Sequence, residues 1–400
     1  MPKHIWLLII GMTVNVTGAS FIWPLNTIYM HNELGKSLAF AGVILMLNQG
    51  FAILGNLVGG TLFDKFGGYK TIMLGTSIAM VSASILAFFN SIVPYVVLLM
   101  LIGLGSGMVK PSMFALASSA WPEGGRRAFN AIYVAQNLGV ALGASLGGFV
   151  AALSFSYIFI ANAITFFIFF LLVWFKFKPI ENKLDNFAYT GGIDQPTAIA
   201  NKEAFKSLII LSIGFFICWV AYVQWQTTIS SYTQDLGISI SSYSLLWTIN
   251  GVLIVAGQPL VKLVASVIPS PKTHIYIGNT IFMLSFIYVS FADSFAQFAT
   301  GMVILTLGEM LVWPSVPTLA DQLAPKGKTG FYQGIINGVS TAGRMIGPVL
   351  GGLIVDHFHI QFLFYILIFL FTIPYITTSV YDRKFRNREI HDTKQEAVSH

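Results

Sequence analysis

Residues 104–125 read LGSGMVKPSMFALASSAWPEGG, and residues 307–328 read LGEMLVWPSVPTLADQLAPKGK. A shift of 203 residues superposes them without a gap, and Leu, Gly, Val, Pro, Ser, Leu, Ala, Pro and Gly coincide. Two glycine- and alanine-rich segments match by composition alone, but the pairs Pro111/Pro314, Ser112/Ser315 and Pro122/Pro325 demand more than composition. One further residue of shift aligns Gly139, Gly143, Gly147 and Gly148 with Gly343, Gly347, Gly351 and Gly352. The chain therefore reads as a duplication, with its fourth and fifth apolar segments recurring as the tenth and eleventh.

Working outward from the repeat, the rest of the chain is as apolar as these segments. Hydrophobic residues make up 55% and charged ones 10%, and the mean hydropathy is +0.74. A soluble globular domain carries about 25% charged residues, so an ordinary water-soluble enzyme is excluded. A helix crosses a bilayer with about 20 apolar residues, because the hydrocarbon core is about 30 Å thick and each residue rises 1.5 Å. On that rule spans fall near 5–29, 38–62, 71–90, 93–119, 127–153, 156–175, 205–232, 239–264, 273–292, 295–321, 329–355 and 359–380. The expected fold is an all-α membrane protein of twelve transmembrane helices in two pseudo-symmetric six-helix bundles. The bundles cover 1–175 and 205–382, joined by a polar linker over 176–204 and followed by a tail over 383–400. Parallel repeats of this kind hold a binding site between the halves near the bilayer midplane and work by alternating access.

The charges orient the expected bundle. With the N-terminus inside, 19 of the 22 Lys and Arg fall in cytoplasmic segments, Lys36 lies outside, and Lys110 and Arg344 lie within spans. That bias is the positive-inside pattern; it places both termini in the cytoplasm, in a multi-pass protein of the cell membrane. It also accounts for the sequence pI of about 9.2 without any affinity for nucleic acid. The first apolar stretch lacks a small-residue cleavage site and reads as a span, not a cleaved leader. Cys218 is the single cysteine, and the seven histidines lie at helix ends or in tails. No metal site or cofactor is expected, and no phosphate-binding G-x-x-x-x-G-K-[ST] loop appears. A membrane-embedded enzyme would need paired catalytic groups within its helices; none is evident, so the chain is not expected to be an enzyme.

Between the second and third spans runs GTLFDKFGGYK, residues 60–70. Glycines there permit a tight reversal, and Asp64 is placed to hold two bundles together and release them. The stretch resembles the loop signature of the major facilitator superfamily, G-x-L-x-D-[RK]-x-G-x-[RK]-[RK], through Gly60, Leu62, Asp64, Lys65, Gly67 and Lys70, with Tyr69 departing from it. In span five, Gly139, Gly143, Gly147 and Gly148 resemble the antiporter-associated pattern G-x-x-x-G-P-x-x-G-G, with Ala144 in place of proline. Span eleven has the full version, with Gly343, Gly347, Pro348, Gly351 and Gly352. Glycines at this spacing also serve as a general helix-packing face. The resemblance to antiporters implies export more than uptake.

Charge inside the bilayer is costly and marks function by default. Three such residues stand out: Lys110, Glu309 and Arg344. Glu309 is the carboxylate set deep in a span, and its surroundings, TLGEMLVWPSV, resemble span ten of LmrP-like multidrug/proton antiporters. That resemblance implies a proton-coupling role for Glu309, since burial disfavours the charged form of a carboxyl group. Two other roles stay open: an ion pair with Arg344 or Lys110, and a substrate ligand. The chain departs from that group at Ile132 and Gln226, where other membrane carboxylates are expected, and it has no arginine early in span four.

Polar and aromatic residues that suit a cavity for amphipathic solutes are Asn15, Trp23, Asn26, Tyr222, Gln224, Trp225, Gln226 and Trp313. Trp313 leads, one turn from Glu309. The expectation is a secondary active transporter, exporting small amphipathic compounds or drugs against protons, and working as a monomer in the lipid bilayer. The alternative is a symporter or facilitator for a neutral or anionic metabolite, which the net positive charge of the three deep residues suits.

Overall fold

A computed structural model of the protein describes residues 1–22, 26, 29–30, 34–89, 91–153, 155–180 and 200–383. Apolar sequence interrupted by glycine and short polar turns folds here as helix after helix, with no strand among the described residues. In order these are α1 (Lys3–Ile22), α2 (Leu38–Phe66), α3 (Gly68–Phe88), α4 (Ile92–Ala120), α5 (Arg126–Leu153) and α6 (Phe155–Leu172, extended by a π turn over Val173–Phe177). There follow α7 (Ala200–Tyr222, then a 3₁₀ turn Val223–Gln226 and a short helix Thr228–Asp235), α8 (Ile240–Ala256, resumed at Gln258–Val267) and α9 (Pro271–Val289). The last are α10 (Phe295–Leu323), α11 (Thr329–His357) and α12 (Ile360–Leu370, resumed at Thr372–Val380).

Among the described residues nine helices are long and apolar enough to cross a membrane. They become ten when the two pieces of α8, bent by 53°, count as one. The helices α5 and α9, of 28 and 19 residues, also have crossing length and take the fifth and ninth places in the expected order of twelve. Large apolar side chains such as Val93, Leu263, Val267 and Phe369 stand exposed. An apolar surface on that scale suits lipid and not water.

Contacts divide the chain into two compact units. The first is Met1–Gly192 with Ile254–Ala256 and Gly327–Met345; the second is Ile193–Leu253, Gly257–Lys326 and Ile346–His400. The first half of α11 thus belongs with α1–α6, and its second half with the C-terminal helices.

In the first unit one buried cluster joins Ile5, Leu8 and Met12 of α1 to Val109, Met113 and Phe114 of α4 and Phe129 of α5. A second cluster joins Phe21 of α1, Ala79 and Ala83 of α3, Tyr95 and Leu99 of α4, and Phe159 and Phe166 of α6. Helices in lipid associate through close packing, since lipid tails are as apolar as leucine, and small residues decide where the closest approach falls. A Cβ on Gly105 of α4 would lie 2.5 Å from the Gly75 carbonyl oxygen of α3, and one on Gly75 would lie 2.7 Å from the Gly105 oxygen. In the second unit α9 and α10 cross the same way. A Cβ on Gly308 would lie 2.8 Å from the Gly278 oxygen, and one on Gly278 would lie 2.9 Å from the Gly308 oxygen. The same 203-residue shift relates Gly75 to Gly278 and Gly105 to Gly308. The repeat is therefore one of helix packing as well as of sequence.

The repeated Pro-Ser pair also keeps its local structure. Pro111 lies inside α4 and Pro314 inside α10, where each removes one backbone donor. Beside them Ser112 donates to the Met108 carbonyl at 2.8 Å and Ser315 to the Leu311 carbonyl at 2.6 Å, both in the preceding turn.

Candidate functional site

The turn between α2 and α3 is built as its glycines require. Gly67 has φ of 89°, in the region that favours glycine. It ends α2 by donating its N–H to the Phe63 carbonyl at 2.9 Å. Lys65 and Lys70 are exposed and Leu62 is half-buried. Asp64 looks instead toward the start of α11: Oδ1 accepts the Gly330 N–H and Oδ2 accepts the Phe331 N–H, each at 2.8 Å. Those amides are in the first turn of α11, whose N–H groups have no partner within the helix and whose end carries partial positive charge. Gly60 lets the two backbones meet there, because its Cβ would collide with the Gly330 carbonyl, while a Cβ on Gly334 would come 2.5 Å from the Asn56 carbonyl oxygen.

The two glycine runs line matching seams. A Cβ on Gly139 would meet the Thr13 carbonyl oxygen at 2.8 Å, one on Gly143 the Thr17 oxygen at 2.5 Å, and one on Gly147 the Phe21 oxygen at 3.1 Å, all on α1. In the second unit Gly347 faces Val220 and Val223, and Gly351 faces Gln224, all at the distorted end of α7. Gly343 is buried in the part of α11 that packs in the first unit, and Pro348 lies within α11. Among the described residues, nothing beyond its own helix lies within 4 Å of a Cβ on Gly352. Nothing is described for the surroundings of Gly148.

Glu309 is 3% exposed, in mid-α10. Its Oε2 accepts the Tyr222 hydroxyl of α7 at 3.0 Å and the Asn250 amide Nδ2 of α8 at 2.8 Å. Asn250 Nδ2 also donates to Thr306 Oγ1 at 2.9 Å, one turn before Glu309. One turn after Glu309, Trp313 packs into a wall of rings. It stacks on Trp219 with centroids 4.5 Å apart and planes 4° from parallel. Tyr222 and Phe215 meet it edge-on at 5.4 and 5.5 Å, and Phe282 of α9 lies tilted at 5.4 Å. Trp313 Nε1 has no hydrogen-bond partner among the described residues. The result is a carboxylate that accepts from Tyr222 and Asn250 at the edge of an aromatic cluster on α7, α9 and α10.

The remaining sequence-predicted cavity residues sit elsewhere. Gln224 is buried and its amide is fully used: Nε2 donates to the Val220 and Gly347 carbonyls at 2.9 and 2.8 Å, and Oε1 accepts Thr228 Oγ1 at 2.7 Å. It is a strut between α7 and α11 and not a group open to a solute. Trp225 is fully buried with its ring against Gly301, and Gln226 is half-buried at the end of the 3₁₀ turn. Asn15 is buried on α1, and Asn26 accepts the Tyr95 hydroxyl at 2.6 Å, both in the first unit. Trp23 lies outside the described residues. Lys110 and Arg344 both belong to the first unit. Arg344 donates to Thr341 Oγ1 at 3.3 Å.

Sequence reasoning missed Asn250, Thr306, Phe215, Trp219 and Phe282. Phe215, Trp219 and Tyr222 fall at i, i+4 and i+7 of one helix, a one-face pattern that was available. Asn250 is an isolated amide in an apolar run and carries no such signal.

Comparison with known proteins agrees with the packing repeat. The sequence profile of the Major Facilitator Superfamily matches residues 8–347 and, again, 227–394. The chain belongs to this superfamily. It is 54% identical to "Uncharacterized MFS-type transporter YttB" of Bacillus subtilis (strain 168), over 100% of both chains. It is 22% identical to "Multidrug resistance protein MdtH" of Aeromonas hydrophila subsp. hydrophila, over 89% of this chain and 88% of that one. The crystal structure of the human organic anion transporter MFSD10 superposes with a TM-score of 0.74 at 14% identity, covering 94% of this chain and 100% of that chain. At that identity the likeness shows the fold alone. The major facilitator chain is thus a multi-pass membrane transporter of small molecules, and its class is not an enzyme class.

Proposed function

We propose that the protein is a proton-coupled exporter of small amphipathic compounds that works by alternating access. Glu309 carries the reading. It is a deeply buried carboxylate that accepts bonds from Tyr222 and Asn250 and stands one turn from the Trp313 ring cluster. A carboxyl group so enclosed is poised between a charged form that its donors stabilise and a neutral form that burial favours. The rings offer apolar area with little demand on substrate shape. The antiporter-like glycine seams and the distant relation to MdtH support export. In this reading two six-helix halves, 1–175 and 205–382, rock about the linker 176–204. Both termini, with the tail 383–400, lie on the cytoplasmic side of the cell membrane, and a monomer suffices.

Lys110 and Arg344, two basic residues within spans and both in the first unit, favour a second reading: uptake or facilitated passage of an anionic solute. Reconstitution into liposomes with an imposed proton gradient separates the two. Export predicts saturable, gradient-driven movement of an amphipathic dye opposite to the protons. Movement of an organic anion together with protons, or conductance without saturation, would overturn it.

A further inference from the structure

The second unit holds a feature that the proposed proton site does not by itself require. The helix α8 bends by 53° between Ser242–Ala256 and Gln258–Val267, and α10 holds it before the bend and at it. Before the bend, Asn250 spends both hydrogens of its amide nitrogen on α10, one on Thr306 Oγ1 at 2.9 Å and one on Glu309 Oε2 at 2.8 Å. At the bend, Gly257 leaves room for Met310, whose Cε and Sδ would lie 2.9 and 3.0 Å from a Cβ there. Adjacent residues of one helix, Glu309 and Met310, thus hold two points of α8 that are seven residues apart.

The two donors to Glu309 differ in kind. A tyrosine hydroxyl donates or accepts by rotating, whereas an amide N–H only donates. When the carboxyl group gains a proton it loses its charge: Tyr222 can turn to accept from it, whereas Asn250 Nδ2 can only go on donating, now to a weaker, neutral acceptor. Thr306 donates its hydroxyl to the Met302 carbonyl at 2.7 Å and accepts the other hydrogen of the Asn250 amide, in either protonation state of Glu309. Beside Glu309 stand Tyr222 from α7 and Asn250 from α8, which bond it, and Thr306 of α10, which bonds Asn250. Phe282 of α9 and Trp247 of α8 lie against Tyr222.

We propose that Asn250 is a positioning residue that couples the protonation of Glu309 to the bend of α8: a proton on the carboxyl group weakens the Asn250 bond and loosens the hold of α10 on the first part of α8. This rests on the proton-coupling reading of Glu309. The experiment compares Asn250→Ala, Asn250→Leu (similar in size, without polar atoms) and Thr306→Val in liposomes, following the pH at which gradient-driven transport is half-maximal. Loss of one bond to a carboxylate moves that midpoint upward by about one to two pH units in both Asn250 variants. Thr306→Val, which leaves the bond to Glu309 in place, leaves the midpoint unchanged.

A spin-label pair at Leu245→Cys and Val267→Cys, in a Cys218→Ser background, reads the bend directly. Both sites are exposed. The distance distribution changes from alkaline to acidic pH in the parent, and Asn250→Ala shows the acidic distribution at both. An unmoved midpoint in the Asn250 variants that insert, or a label distance indifferent to pH, overturns the inference. If neither Asn250 variant inserts, the label distance in the parent decides alone. Should Glu309→Gln keep its pH-dependent coupling, the reading of Glu309 fails instead, so the two failures are told apart.

Discussion

Replacing Asp64 by asparagine tests the junction of α2 with α11. The carboxylate accepts two N–H groups at 2.8 Å from the first turn of α11. Asparagine keeps one acceptor and turns an NH₂ toward the second N–H. The change removes one bond to a charged group, about 1.5–3 kcal/mol, and the charge–dipole attraction at the helix start, about 0.3–1 kcal/mol. Asp64 is half-buried, so solvent screening cuts the total to about 1–2 kcal/mol. At 1.4 kcal/mol per tenfold, the joined state loses about 5- to 30-fold in population. If every transport cycle passes through that state, Asp64→Asn lowers maximal turnover by a similar factor. Substrate affinity stays within about twofold, because the junction is remote from the Glu309 cluster in the sequence and lies in the other unit. Initial rates over a range of substrate concentrations, with equilibrium binding on the same preparation, measure both. Weakened binding at full turnover would refute the reasoning.

Three further outcomes follow from packing and charge. Gly351→Val drives a side chain into Gln224 while Gly352→Val meets open space, so the first loses about 1–3 kcal/mol of thermal stability and the second does not; equal melting shifts would contradict the seam. Trp313→Phe keeps a ring against Tyr222 but shortens the stack on Trp219. It weakens binding of amphipathic dyes severalfold, measured by fluorescence titration, with expression unchanged. The Lys272–Asp382 ion pair, 2.7 Å long with side chains 25% and 21% exposed, contributes less than about 1 kcal/mol, so Lys272→Ala leaves turnover intact and barely moves the melting temperature.

How far the sequence could be read depended on the kind of signal. Hydropathy found the spans because backbone groups in lipid leave few alternatives to helix. The glycine runs were legible because close approach calls for a small residue; Asp64 was singled out by the loop signature, and its bonds to the first turn of α11 were not foreseen. The bend in α8 was not foreseen, although Gly257 and Pro259 flank it, because a glycine and a proline in an apolar run also suit a straight span. Gln224 illustrates the opposite failure. An amide in a span suggested a solute ligand, yet three bonds to Val220, Gly347 and Thr228 occupy it, and such cross-helix partners follow no period in the chain. Glu309 and Trp313 were read together because i, i+4 spacing sets them on one face, and Tyr222 was named among the cavity residues, whereas Asn250 and Phe282 reach that face from two other helices without a signal of their own.

Proton movement in purified Glu309→Gln protein set beside the parent tests the central idea most directly. With an amphipathic substrate added to weakly buffered detergent solution, the parent releases protons, and Glu309→Gln still binds but releases none. Equal proton release by the two proteins would show that this carboxyl group does not carry the coupled proton.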